Sequence, residues 1–222
     1  MKLIVIGTGS KGNGYILEND NEALIIEAGM PLKEVKIALD FNVSKIVGLI
    51  ASHSHFDHIG HISEYEKAGI KIYKPFENFE KTVHFGGFTI NAFDVPHSVP
   101  CYGFLIRHKD MGKLVFATDC ELVRYTFKDV NHILIEANYM PELIQSEDAN
   151  YEHRVLGHMA IGTTVDFLKA NDNPLLRDVM LIHLSDTASD EKMFTERAQR
   201  VVDCPVYVAD KNMQICLSEV PF

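Results

Sequence analysis

Ile46-Val47-Gly48-Leu49-Ile50-Ala51-Ser52-His53-Ser54-His55-Phe56-Asp57-His58-Ile59-Gly60 is the stretch on which the reading of this chain turns. Its first six residues are an apolar run of the length of a buried strand, and His58-Ile59-x-x-Ile62-x-x-Tyr65 continues with helical spacing. Between them stand His53, His55, Asp57 and His58, in the pattern His-x-His-x-Asp-His. Imidazole nitrogens and a carboxylate gathered on a strand-to-helix turn are what a transition metal takes as ligands, so the spacing predicts a metal site at this turn.

Outward from that turn, 222 residues with 46% hydrophobic content and no Pro/Gly/Ser-rich linker are expected to fold as one domain over 1–222. Met1 to Gly7 carries one charge and an apolar run cut by glycine, too short for the apolar region of a signal peptide. No run approaches the roughly 18 apolar residues of a membrane span, so no membrane partner and a cytoplasmic location are expected. Cys101, Cys120, Cys204 and Cys216 are widely spaced and form no Cys-x-x-Cys pair; they read as core thiols. The formal charge of −10 works against tight, nonspecific binding of duplex nucleic acid, whose affinity comes from lysine and arginine neutralising phosphates. A phosphate substrate stays open, because bound metals would be the local charge that matters.

Leu3 to Ile6 reads as a strand, followed by Gly7-x-Gly9-x-x-Gly12. The glycine spacing matches a dinucleotide-binding fingerprint, but that fingerprint requires a helix at the glycines, whereas Tyr15-Ile16-Leu17-Glu18, a polar turn and Ala23-Leu24-Ile25-Ile26-Glu27 predict a hairpin. Backbone N–H groups of this loop, with Lys11 and Gly12, are candidates for contact with a substrate phosphate. Pro31, followed by Leu32, Val35, Ile37, Ala38 and Leu39, opens an amphipathic helix, which leads into the strand at 46–51. A helix over 58–68 ends at Gly69, and Ile70 to Tyr73 is a strand of the parallel crossover type. Strands follow at 82–85, 88–93, 102–107, 114–118 and 132–135; the segment 141–156 is helix-permissive, and a helical run includes 163–169. Val179 to Ile182 is a last core strand, 190–202 a helix, and Pro205 to Leu217 a closing β pair.

Apolar strands in this chain repeatedly end in a ligand-type residue: Glu27, His53, His97, Asp119, Glu136 and His183. Each alone would be unremarkable, but loops at one edge of a sheet sandwich would collect them into a single site.

With these residues in place, the chain resembles the metallo-β-lactamase superfamily of metal hydrolases over nearly its full length. The matching motifs are His53-x-His55-x-Asp57-His58, His97, Asp119 after Ala117-Thr118, and His183 in Leu181-Ile182-His183-Leu184-Ser185. The resemblance implies an α/β fold, an αββα sandwich of two mixed β-sheets with helices outside and a metal pair at the sheet edge. It implies that His53, His55 and His97 hold one metal, that Asp57, His58 and His183 hold the other, and that Asp119 bridges them. The family usually has Asp where this chain has Glu27, a residue that orients metal-ligand histidines. Asp119 stands where β-lactamases of the first subclass place a cysteine, so an antibiotic-hydrolysing role is not expected. Glu136 in Leu134-Ile135-Glu136-Ala137-Asn138 and His158 in Gly157-His158-Met159 are similar to the phosphodiesterase branch, which includes ribonuclease Z and the WalJ/YycJ-like nucleases. There such a pair assists departure of the leaving oxygen. An inserted arm of the kind ribonuclease Z uses to grip tRNA is missing from the sequence, as is an added cap domain, which counts against tRNA as substrate.

The expected function is therefore hydrolysis of a phosphodiester in nucleic acid or a nucleotide, through a hydroxide bridging two divalent ions, zinc or manganese. Asp57 would accept a hydrogen bond from that hydroxide, and His158, oriented by Glu136, would protonate the leaving alkoxide. Alternatives are a small-molecule hydrolase, either a cyclic-nucleotide phosphodiesterase or a thioester/lactone hydrolase, and a catalytically silent metal-bound binding module. A homodimer is a further partner the sequence leaves open.

Overall fold

In β1 (Lys2–Gly7), Leu3 and Val5 face one way and Ile4 and Ile6 the other, and all four are buried. A strand apolar on both faces needs cover on both, and that requirement sets the layers. In the computed structural model, which describes residues 1–145 and 151–218, the cover is a second sheet on one side and helices on the other.

β2 (Gly14–Glu18) and β3 (Ala23–Ile26) continue from β1 in antiparallel order, and α1 (Leu32–Ala38) crosses to β4 (Ile46–Ile50), which runs parallel to β3. α2 (Phe56–Ile59) and α3 (Ile62–Lys67) lead to β5 (Ile72–Tyr73), parallel to β4. The second sheet starts as the antiparallel run β6 (Thr82–Phe85), β7 (Phe88–Val95), β8 (Cys101–His108) and β9 (Gly112–Ala117). β10 (His132–Glu136) adds to β9 in parallel. α4 (Tyr151–Gly157) and α5 (Ile161–Asn171) connect it to β11 (Asp178–Ile182), and α6 (Glu191–Gln199) connects β11 to β12 (Val206–Val208). The side chain of Asp190 starts α6 by accepting a hydrogen bond from the Met193 N–H at 2.9 Å. β13 (Gln214–Cys216) returns to the first sheet beside β1. The strand orders are β13-β1-β2-β3-β4-β5 and β12-β11-β10-β9-β8-β7-β6.

Between the sheets lies one apolar layer, with Leu3, Val5, Tyr15 and Ile26 from one side and Phe88, Phe104, Phe116 and Ile182 from the other. α1 and α3 cover the outer face of the first sheet, where Val35 and Tyr65 pack with Ile4 and Ile25. α5 and α6 cover the second, where Leu168 and Phe194 pack with Ile133 and Leu181. This is the αββα sandwich expected, and it puts the C-terminal ends of β3, β4, β9, β10 and β11 at one edge.

Two expectations are corrected. The helix read over 58–68 is two short helices that begin at Phe56 and break at Gly60 and His61. The break has a cause: Ala28, just after β3, donates to the His58 carbonyl at 2.7 Å and accepts from the His61 N–H at 2.9 Å, so these groups are taken out of a continuous helical ladder. The closing β pair of 205–217 is no hairpin. β12 pairs in parallel with β11 and β13 antiparallel with β1, so the chain's last strands close opposite sheets. Of the helix-permissive segment, 141–143 is a 3₁₀ turn and 151–157 is α4, while 146–150 lie outside the described residues. Cys101, Cys120 and Cys204 are buried free thiols, as expected, whereas Cys216 is an exposed one.

Candidate metal centre

Glu27, Asp119 and His183 each follow the last residue or two of a strand, and each has a positive φ, 67°, 47° and 55°. Non-glycine residues pay for this conformation with roughly 1–3 kcal/mol apiece, and such strain persists where tertiary contacts hold it. Here it turns the chain sharply out of the sheet and sends three acidic or imidazole side chains inward, where they are almost wholly buried.

The side chains meet in three overlapping groups. His53, His55, His97 and Asp119 bring ligand-type atoms within 4.8 Å of one another, as do Asp57, His58, Asp119 and His183, and again Asp119, Glu136, His158 and His183. Asp119 faces its neighbours with different oxygens. Its Oδ2 lies 3.9 Å from His53 Nε2, while Oδ1 lies 3.2 Å from His58 Nε2 and 3.5 Å from His183 Nε2. Asp57 Oδ2 is 3.3 Å from His183 Nε2 and 3.4 Å from His58 Nε2. His158 Nδ1 sits 2.6 Å from Glu136 Oε1, and its ring stacks on that of His183 with centroids 5.3 Å apart.

Every ligand-type residue named from the sequence is thus at this edge, and Glu27 lies behind it, 3.5 Å from His58 Nδ1, holding the Ser52 N–H at 3.2 Å. Lys11 and Gly12 are placed differently. The Lys11 ammonium is exposed and 2.8 Å from the Asp186 carboxylate, and the Gly12 N–H donates to the Gly9 carbonyl. What the glycine loop delivers to the site is Asn13, which the sequence reading passed over. Asn13 is fully buried; its Oδ1 accepts from the Gly9 N–H at 2.9 Å, and its Nδ2 lies 3.0 Å from His58 Nε2 and 3.4 Å from Asp57 Oδ2. Ser52 and Asn138 were missed as well: Ser52 Oγ is 2.9 Å from His53 Nδ1, and Asn138 Nδ2 is 3.2 Å from His183 Nδ1 and donates to its carbonyl at 2.9 Å. Their only signal in the sequence was a polar side chain one or two positions from a ligand-type residue at a strand end.

Electrostatics divide the site. Burial, aided by neighbouring imidazoles, pushes His53 down to about 2 and His97 down to about 4, so both rings are neutral with free lone pairs. Burial also opposes charge on His183, but Asp119, with hydrogen bonds to Asp57 and Glu136, more than offsets it and raises the ring to about 10. His58 is raised in the same way by Asp119 and Glu27. Burial likewise works against the charge of Asp57 and Asp119, yet His183 and His58 hold both well below the usual carboxylate range.

The residues fit divalent cations. His53 Nε2 is buried without a hydrogen-bond partner and points toward Asp119, while its other nitrogen is engaged by Ser52. His97 Nε2 and His55 Nδ1 converge to 3.1 Å, two nitrogens with a shared need for an electrophile. Carboxylates buried against these rings call for positive charge that protons on His58, His183 and His158 otherwise supply.

A profile of the metallo-beta-lactamase superfamily matches residues 7–74. The exodeoxyribonuclease WalJ of Streptococcus pneumoniae is 26% identical over 196 residues, covering 72% of each chain. Among solved structures, the metallo-beta-lactamase fold protein YhfI from Bacillus subtilis superposes with a TM-score of 0.73 at 19% identity, covering 96% of this chain and 98% of that one. Human tRNase Z, short form, does so with a TM-score of 0.66 at 16% identity over 98% of this chain and 99% of its own. The profile covers the glycine loop and the histidine turn, and the solved structures share the sandwich that carries His97, Asp119 and His183 to that turn; the chain has the metallo-beta-lactamase fold, and its histidine turn is similar to that of the superfamily's metal-dependent hydrolases.

Proposed function

We propose that this protein is a metal-dependent phosphodiesterase acting on nucleic acid or a nucleotide. The observation that carries the reading is Asp119 shared between two ligand groups, with the Glu136–His158 pair directly beside them. His53, His55, His97 and Asp119 would hold one ion, and Asp57, His58, His183 and Asp119 the other; zinc and manganese both suit such nitrogen and oxygen donors. When bound, the ions supply Lewis acidity toward phosphoryl oxygens and bring the pKa of a bound water from 15.7 toward ~7.

The chain's own residues do the rest. Asp57 keeps 21% of its side chain exposed and stays ionised, so it can orient a water by accepting its hydrogen bond. Glu136 receives the Cys120 N–H at 3.0 Å and the Met159 N–H at 3.2 Å through one oxygen, which fixes its other oxygen on His158 Nδ1. His158 is raised from its ordinary value because Glu136 more than offsets its burial, so Nε2, the nitrogen away from Glu136, holds a proton for a departing alkoxide. The similarity to an exodeoxyribonuclease supports a nucleic-acid or nucleotide substrate. The charge of −10 favours a small-molecule substrate instead, which is the second reading. Hydrolysis of bis-p-nitrophenyl phosphate with added Mn²⁺ or Zn²⁺, lost in His55→Ala, tests the reaction class. A panel of single-stranded DNA, duplex DNA, RNA and cyclic nucleotides decides between polymer and small-molecule substrates, and no turnover of any phosphodiester would overturn the phosphodiesterase reading in favour of a thioester or lactone hydrolase.

A further inference from the structure

On the His97 side of the metal centre, the end of β7 and the loop to β8 enclose a cleft of about 350 Å³. That lies near the lower end of the range of small-molecule sites, about 300–1,000 Å³. Among the described residues its lining includes Asp94, Val95, His97, Val99 and Tyr102, and neither lysine nor arginine. Tyr102 is tied to the ligand turn, since its N–H donates to the carbonyl of Ser52, next to His53, at 3.1 Å. Its ring stacks on Phe79, with centroids 5.5 Å apart and planes at 28°. Phe79 stands outside the residues that line the cleft and extends it beyond Tyr102; it is 53% exposed, a large apolar surface left to water.

We propose that this cleft is a nucleobase subsite, in which the Tyr102–Phe79 pair takes the unstacked base of the nucleotide whose phosphate lies at the metal centre. The inference rests on the phosphodiesterase reading and narrows its substrate to a free nucleotide or an unpaired strand end. With one carboxylate and no cation among the described lining residues, the cleft is unsuited to a second phosphate and suited to a flat, uncharged ring; one oxygen of Asp94 accepts from the Tyr125 hydroxyl, and the other is an acceptor for a base N–H. A chain of charge −10 gains little from neutralising a polymer's phosphates, and stacking is the source of affinity that remains. Stacking on aromatic side chains strengthens binding by roughly 5- to 150-fold per base. A base held inside a duplex is already stacked and cannot enter a cleft of this size.

Calorimetry on the Zn²⁺-loaded protein, comparing thymidine 5′-monophosphate with 2-deoxyribose 5-phosphate, isolates the base. The wild type is expected to bind the nucleotide at least about 10-fold more tightly, and Phe79→Ala and Tyr102→Leu to remove that preference while leaving affinity for the sugar phosphate unchanged. Phe79→Ala lies at an exposed position, so it reports even if Tyr102→Leu unfolds. Equal affinities in the wild type, or a preference retained in a folded Phe79→Ala variant, would overturn the subsite. Because bis-p-nitrophenyl phosphate turnover is scored separately, base preference without turnover would sink the phosphodiesterase reading alone, and turnover without base preference would sink the subsite alone.

Discussion

His158 is a side chain with two competing explanations at the residue scale: proton donor, or packing partner at the start of α5. Its 2.6 Å approach to Glu136 Oε1 and the 12% exposure of its side chain favour a donor with access to a substrate. His158→Ala should therefore lower kcat by roughly 10²-fold or more on a phosphodiester with a poor alkyl leaving group, and much less on a p-nitrophenyl ester, whose leaving group needs little protonation. Metal content should stay at the wild-type level. Equal losses on both substrates, or loss of metal, would return His158 to a structural role. The ligand-type residues were legible as a set, because Glu27, His53, His97, Asp119, Glu136 and His183 each end an apolar run and His55, Asp57 and His58 follow His53 in one motif. Asn13 and Asn138 were not, since their roles depend on what lies 44 or 45 positions away in sequence, nor was Ser52, whose contact with the adjacent His53 depends on how the turn folds.

At the scale of elements, the site depends on how closely the segment after β3 can approach α2. Gly29 makes that approach possible: a Cβ there would stand 1.7 Å from the Asp57 carbonyl oxygen and 2.6 Å from the Asn13 nitrogen, both backbone atoms that cannot move aside cheaply. Gly29→Ala is expected to destabilise the fold by about 1–3 kcal/mol and to push Asp57 and His58 out of register. Elemental analysis should then find less metal per chain, with the shortfall in the group of Asp57, His58 and His183. Normal metal content in a folded Gly29→Ala variant would show that the two segments can separate without consequence. The same contact explains why α2 and α3 are two helices. Periodicity alone reads through Gly60, because only the tertiary partner Ala28 diverts the hydrogen bonds of His58 and His61.

For the whole molecule, protons and metal ions compete for one buried site. His183, raised to about 10 in the folded protein against 6.5 ordinarily, lends the metal-free fold stability that is full below about pH 6.5 and is lost as pH rises through about 10. Bound cations replace those protons, so the metal-loaded protein should not lose stability over that window. The Tm difference between metal-loaded and chelator-treated protein should widen from pH 6.5 to 9.5, with protons released on metal addition at pH 7. A pH-independent difference would show that His183 is not protonated in the metal-free state. Full loading should approach two ions per chain; if it never exceeds one with metal in excess, Asp119 does not bridge.

The sequence by itself determined the strands and the set of groups with chemistry at strand ends, because apolar runs and ligand spacing are local patterns that burial and coordination both demand, and the sandwich was implied by the family resemblance those groups carry. It could not place β12 and β13, whose short runs fit a hairpin equally well and whose partners, β11 and β1, are chosen by which sheet edges remain open. Nor could it choose the two faces of Asp119 or the company of Tyr102 and Phe79, since those follow from packing two sheets face to face over distances that no local pattern encodes.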